Sequence, residues 1–361
     1  MNNNTKLHDI RSRIDALDDQ IEDLISERAA LVQEIAQEKR NLGCTTGFYR
    51  PERETWVLRR IQARNHGPLT DEVMVRLFRE IMSACLALQQ PLKIAFLGPE
   101  GTFTQAAVLK QFGQGVEMIP LAAIDEVFRK VESGAAQYGV VPVENSTEGV
   151  INHTLDMFLN SPLKITGEVE LRIHQHLMSH CEDVAEIKCV YSHQQSLAQC
   201  RGWLDEYLPR APRIAVSSNA EAARHASTHA GAAAIAGSAA AEVYKLSVLV
   251  PNIEDEPDNT TRFLVIGSHT VPASGADKTS LLISAQNRSG ALARLLEPLA
   301  RYEVSMTRIE SRPSRRGTWD YVFFVDIEGH VDDEKVRLAL NELAEKASLF
   351  KVLGAYPRAV L

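Results

Sequence analysis

The sequence predicts a multidomain chain: an all-α helical segment first, an α/β segment in the middle and an α+β segment last. Three observations carry this. Residues 1–91 show helical periodicity only. Residues 92–270 alternate short apolar strands with amphipathic helices, the pattern of a mostly parallel sheet. Residues 278–357 run strand, helix, strand, strand, helix, strand, a ferredoxin-like order, after the Pro/Gly/Ser-rich linker SHTVPASGADK.

In the first segment Leu7, Ile10, Ile14, Leu17, Ile21, Leu24, Leu31 and Ile35 alternate by three and four, so one helix of over thirty residues carries a heptad seam, interrupted at Arg28. No Gly or Pro falls before Arg40, and NLGCTTG then breaks the pattern. Pro51 suits the first turn of a second helix, and Thr70 is the expected N-cap of a third. The middle segment starts with the strand LKIAFLG and ends with TRFLVIG; its length fits one domain or two lobes. In the last segment KTSLLISA, VSMTRIESRP, TWDYVFFVDIEG and LFKVLGAYP are the strands, with RRG as a hairpin signal.

Composition narrows the function classes. Of 361 residues, 45% are hydrophobic and 24% charged, which excludes a disordered or collagen-like chain. A net charge of -8 argues against a general nucleic-acid binder. The five cysteines form no CxxC pair and no metal-ligand spacing, so reduced thiols, no metal and a cytoplasmic location are expected. The first residues carry no long apolar core, so no secretory signal is expected, and no stretch is apolar enough for a membrane span.

Arg28 occupies the seam of the long helix, while Arg11 and Lys39 flank it four heptads apart. Cations on an apolar stripe usually lift their charges into water, but three on one stripe with few matching acids favour an external anion. Arg11 and Lys39 lie roughly 42 Å apart along one helix, so only antiparallel pairing with a second copy brings them together. An intertwined homodimer or higher homo-oligomer is therefore expected. Arg53 and Glu54 follow in the second helix. Gln89 continues a stripe of Phe78, Met82 and Cys85 on the third.

ALDDQIEDLISERAALVQEIAQEK, RPERE and RLFREIMSACLALQQP resemble the all-helical chorismate mutases across nearly all of residues 5–90. The resemblance implies that Arg11 of a second copy, Arg28 and Arg53 hold the carboxylates of chorismate. Lys39 and Gln89 would donate to its ether oxygen, and Glu54 would meet the ring hydroxyl. Arg50 stands where that family often has Asp, and Cys85 where it often has Ser; the thiol is the weaker donor.

Four loops of the middle segment mass hydroxyls and amides at strand ends, where α/β sheets bind ligands: GPEGTF, VENSTEG, YSHQQS and DNTTRF. They resemble prephenate dehydratase over residues 92–270. That resemblance implies two lobes similar to periplasmic binding proteins, with the active site between them. Thr261 would donate to the leaving oxygen. Glu144, Asn145, Ser146, Thr147, Ser192, His193, Gln199, Arg262 and Phe263 would bind prephenate, although Arg262 could equally serve structure. A Ser–His adjacency alone is no hydrolase signal, and no GxSxG occurs.

The last segment resembles the ACT regulatory domain. NRSGAL (Gly290, Ala291, Leu292) and IESRP (Glu310, Ser311, Arg312, Pro313) resemble its phenylalanine-binding motifs. The order of the three resembles the bifunctional chorismate mutase–prephenate dehydratases. That implies chorismate and prephenate as substrates, no cofactor, and phenylalanine as feedback effector. An arogenate-preferring dehydratase and a non-catalytic amino-acid sensor are the competing readings.

Overall fold

The computed structural model describes residues 3–42, 49–286, 288–313 and 321–360. Cys44, the RRG hairpin and Asn287 of the NRSGAL motif lie outside these.

Helix α1 (Asn3–Asn41) forms as the heptad pattern requires. Proline opens α2 (Pro51–Arg64), where its missing N–H costs no helical bond. The Thr70 hydroxyl accepts from the Val73 N–H at 3.4 Å and so caps α3 (Asp71–Ala87). Only the second half of α1 is covered: Ala36 is buried, and Arg28, Val32 and Lys39 are half-buried. The seam itself faces outward, with Leu17 56% and Leu24 64% exposed.

The α/β segment forms two lobes. The first contains β1 (Lys93–Leu97), α4 (Phe103–Phe112), β2 (Glu117–Leu121), α5 (Ile124–Glu132), β3 (Tyr138–Asn145), β4 (Gly149–Val150), α6 (Asn152–Phe158) and β5 (Lys164–Arg172). The second contains β6 (His176–Ser179), β7 (Cys189–His193), α7 (Gln194–Gln199), α8 (Arg201–Tyr207), β8 (Arg213–Val216), α9 (Asn219–Thr228), β9 (Ala232–Ala236), α10 (Ser238–Tyr244) and β10 (Ser247–Val250). The chain then returns to the first lobe as β11 (Thr260–Gly267).

The strand orders are β2-β1-β3-β11-β5, with β4 paired to β3, and β10-β6-β9-β7-β8. Strand β1 runs parallel to β2 and β3, and β7 parallel to β8 and β9. Strands β5, β11, β6 and β10 are antiparallel, so both sheets are mixed, unlike the mostly parallel expectation. The two segments crossing between lobes bond to each other, Ile173 N–H to Asn259 O and Ile253 N–H to Gln175 O, each at 2.8 Å.

The last unit contains β12 (Asp277–Ser284), α11 (Ala291–Arg301), β13 (Met306–Pro313), β14 (Tyr321–Glu328), α12 (Glu334–Lys346) and β15 (Leu349–Pro357). Its antiparallel sheet has the order β13-β14-β12-β15. One face buries Leu295, Leu299, Val336 and Leu343 of the two helices. The other face sets Leu282, Phe324 and Tyr356 into a common core with Leu155, Phe158 and Ile165 of the first lobe. The approach is close: a Cβ at Gly354 would stand 2.1 Å from the Ile165 carbonyl oxygen. No helix among the described residues is long and apolar enough to cross a membrane.

Candidate active sites

The lobes enclose a cleft of about 540 Å³. Strand pairing sets Thr261 of β11 opposite Asn145 of β3 at its wall. Asn145 Nδ2 donates to Thr261 Oγ1 at 2.8 Å and to Asn259 Oδ1 at 2.7 Å. Its Oδ1 accepts from the backbone N–H of Thr147 and of Glu148, each at 3.1 Å, and from the Thr147 hydroxyl at 2.6 Å. One amide therefore fixes both the Thr261 hydroxyl and the turn beside it. Because Thr261 Oγ1 accepts from Asn145, and its own proton meets no acceptor among the described residues, that proton is available to a ligand.

In the same lobe, Thr102 caps α4 by accepting from the Gln105 N–H at 3.4 Å, and Thr102, Phe103 and Thr104 line the cleft. A helix start aimed into a cleft is a ready carboxylate site. His193 and Gln199 line the cleft from the second lobe. Across the mouth, Glu148 accepts from the side-chain amides of Gln195 and, at 3.2 Å, Gln199. Burial raises the Glu148 carboxyl above its ordinary pKa, opposed by His193 and the Gln199 bond.

Strand alternation separates the TRF residues. Thr261 and Phe263 line the cleft, while Arg262 points to the opposite face. There it bonds Glu168 at 2.9 Å, Asp326 at 2.6 Å and Tyr356 at 3.0 Å, joining β11 to the last unit. Burial lowers the Arg262 pKa, but Tyr356, Asp326 and Glu168 together raise it above its ordinary value. Arg262 is thus structural here, the second of its two expected roles. Glu144 is likewise turned away, paired with Arg308 of β13 at 2.8 Å. Ser192 is fully buried and bonds the Ile235 carbonyl at 2.8 Å and Asn219 at 3.0 Å, so it stands behind the wall. Ser146 accepts from the Thr260 N–H at 2.9 Å and, with Thr147, braces the turn. Sequence reasoning did not single out Asn259, Gln175, Ser196, Asn219 or Glu148. Asn259 had a usable signal, two positions before Thr261 and on the same face; Gln175 lies in a crossing segment and had none.

In the helical unit Arg28 Nη1 and Gln89 Oε1 are both buried, with no partner among the described residues. Lys39 is half-buried on the same helix as Arg28, and Cys85 is buried on α3. Arg11 lies on the exposed half of α1. Arg53 is exposed, its guanidinium 4.3 Å above the Trp56 ring, and Arg50 is exposed 3.5 Å from Glu52. Glu54, expected at a ring hydroxyl, is instead engaged with Arg79 at 3.8 Å. It lines a small cavity together with Gln111 and Thr166 of the first lobe and Arg358 of the chain end. Burial raises its carboxyl from 4.5 to about 7, opposed by Arg79 and a Tyr49 bond.

In the last unit Gly290 takes φ +73 just before α11, a conformation that glycine adopts without strain. Ala291 lines a cavity of about 480 Å³ with Arg288, Arg294 and Lys346, and Leu292 is half-buried. Strands β12 and β13 both run antiparallel to β14, so Gly290 and the Glu310–Pro313 motif sit at the same end of the sheet. Along β13, Glu310 and Arg312 are half-buried, whereas Ser311 and Pro313 face outward. Arg312 bonds both carboxylate oxygens of Asp156 on α6, at 2.8 and 3.0 Å.

Residues 94–271 match the prephenate dehydratase family, 10–90 the chorismate mutase type II family and 279–345 the ACT domain. Helical unit, two-lobed cleft and docked sheet thus define a class: a fused mutase and dehydratase with a regulatory domain. A bifunctional chorismate mutase/prephenate dehydratase of Pseudomonas aeruginosa is 55% identical, with 99% of each chain covered. One of Neisseria gonorrhoeae is 52% identical over 97% of each. The crystal structure of the prephenate dehydratase of Arthrobacter aurescens in complex with L-Phe superposes with a TM-score of 0.68 at 34% identity. It covers 75% of this chain and 93% of that one. The chain belongs to the bifunctional chorismate mutase/prephenate dehydratase family.

Proposed function

We propose that this chain rearranges chorismate to prephenate in its helical unit and converts prephenate to phenylpyruvate in the interlobe cleft, under feedback by phenylalanine. The observation that carries the second step is the Thr261 hydroxyl, which accepts from Asn145 Nδ2 at 2.8 Å and so keeps its own proton to give. Loss of the ring carboxylate as carbon dioxide pushes an electron pair into the ring, and the ring hydroxyl leaves as water on taking a proton. Thr261 donates to that oxygen as it departs. The α4 N-terminus holds the carboxylate that stays, and Phe263 packs beside the ring.

Asn145, His193 and Gln199 complete the cleft, with Ser146, Thr147 and Ser192 supporting it. The mutase step needs no nucleophile. Breaking the ether bond builds negative charge on its oxygen, and donors already fixed around it stabilise that charge most in the transition state. The orphaned donor Arg28 Nη1 supports this placement. Lys39, Arg53 and Cys85 complete this site, with Arg11 arriving from a second copy of the chain. The exposed leucine and isoleucine seam of α1 supports a dimer, since a patch of this kind on one chain is a natural contact for another.

The units are taken as 1–91, 92–270 and 278–357, the location as cytoplasmic, and the effector site as Gly290–Leu292 with Glu310–Pro313. A coupled assay tests the whole reading. Purified chain given chorismate should yield prephenate and then phenylpyruvate, and added phenylalanine should suppress the second product. Failure to form phenylpyruvate from supplied prephenate would refute it.

A further inference from the structure

Gln175 lies in one of the two segments crossing between lobes, lines the cleft and is 2% exposed. Its Oε1 is buried with no partner among the described residues. Two anchors fix which way its amide points. The first is Glu148. A carboxylate only accepts, so Gln199 must turn its Nε2 toward Glu148 at 3.2 Å and present its Oε1 to the cleft side. That oxygen then accepts from Asn259 Nδ2 at 3.2 Å and from Gln175 Nε2 at 3.4 Å.

The second anchor is the His193 backbone N–H. It donates to Asn219 Oδ1 at 3.1 Å, which fixes that atom as an acceptor. The Ser196 hydroxyl gives its proton to Asn219 Oδ1 at 3.1 Å and accepts from Asn219 Nδ2 at 2.8 Å and from Gln175 Nε2 at 3.0 Å. Both chains end alike. They consume the donor end of Gln175 and leave its acceptor end unmet, and burial makes an unmet acceptor costly.

A dianion bound in this cleft presents acceptors almost everywhere: two carboxylates and a ketone. Prephenate carries one hydrogen-bond donor, its ring hydroxyl. We propose that Gln175 Oε1 accepts the hydrogen of that hydroxyl. Gln175 is then the residue that recognises the leaving group before Thr261 protonates it. The inference rests on the dehydratase reading above and adds a specificity-determining residue to it. Glu148 and Asn219 are the positioning residues that set its polarity.

The test compares prephenate with phenylpyruvate, which lacks the ring hydroxyl. In Gln175→Met, kcat/KM for prephenate should fall about 10- to 100-fold, the cost of one lost buried partner. The competitive inhibition constant of phenylpyruvate should stay within about threefold of wild type, because that ligand never used the acceptor. Gln175→His, which can donate from one ring nitrogen and accept at the other, should restore most of the prephenate activity. Glu148 is exposed, so Glu148→Ala spares the fold while releasing the Gln199 amide to turn over. It should reproduce the selective loss if Gln175→Met does not fold. Equal loss for both ligands, or loss for neither, overturns the assignment. Wild-type protein that does not turn over prephenate at all would instead overturn the dehydratase reading beneath it.

Discussion

Replacing Glu54 by Gln tests how the helical unit is joined to the rest of the chain. The Glu54 side chain is 14% exposed beside Arg79, and its carboxyl is raised from 4.5 to about 7. Between those pH values the folded chain holds a proton that the unfolded chain has released. Glu54 therefore costs stability as pH rises through this window and costs nothing further above it. The shift corresponds to about 3 kcal/mol at about 1.36 kcal/mol per pH unit. Glutamine keeps the shape without the titration. The stability difference between Glu54→Gln and wild type should grow by about 2.5 kcal/mol in favour of the variant from pH 5 to pH 8, since part of the shift is already spent at pH 5. Urea unfolding followed by the fluorescence of Trp56, on the same helix, reads it at a series of pH values. A difference that stays constant within about 0.5 kcal/mol across that range would refute the reasoning.

Three further outcomes follow from particular contacts. Arg262→Ala strips the buried Asp326 of its cation and should cost about 3–5 kcal/mol by thermal or urea unfolding, while also weakening inhibition by phenylalanine. Gly354→Ala places a methyl against the Ile165 carbonyl, so the last unit should detach from the first lobe, seen as a higher radius of gyration in X-ray scattering. Leu24→Asp on the exposed seam should give a monomer by light scattering and lower mutase activity at least about tenfold, because Arg11 then has no second copy to reach. Dehydratase activity in that variant should persist.

Much of the fold was legible because its periodicities are strong and its punctuation clear. The heptad seam gave α1, Pro51 and Thr70 marked the next two helices, and the strand–helix order gave the last unit. The two-lobed division was legible only through resemblance. Strands β5 and β6 escaped because KITGEVELR and HLMS mix polar residues into strands whose burial depends on partners distant in sequence. Glu168 shows this: it is buried within a strand only because Arg262 and Lys278 meet it.

In the cleft, the residue types of the loops were legible, but which side each one faces was not. Thr261 and Arg262 are neighbours in sequence on opposite faces of β11, and Glu144 is drawn away by Arg308, which arrives from the far end of the chain. Glu54 is similar. Its place beside Arg79 depends on how α2 meets the first lobe, which no local pattern encodes.

Thr261→Val is the most direct measurement. It removes the hydroxyl while keeping the shape of the side chain. Given chorismate, the variant should make prephenate at the wild-type rate and accumulate it, with phenylpyruvate formation reduced about 10²- to 10⁴-fold. Phenylpyruvate formation at an undiminished rate would contradict the account.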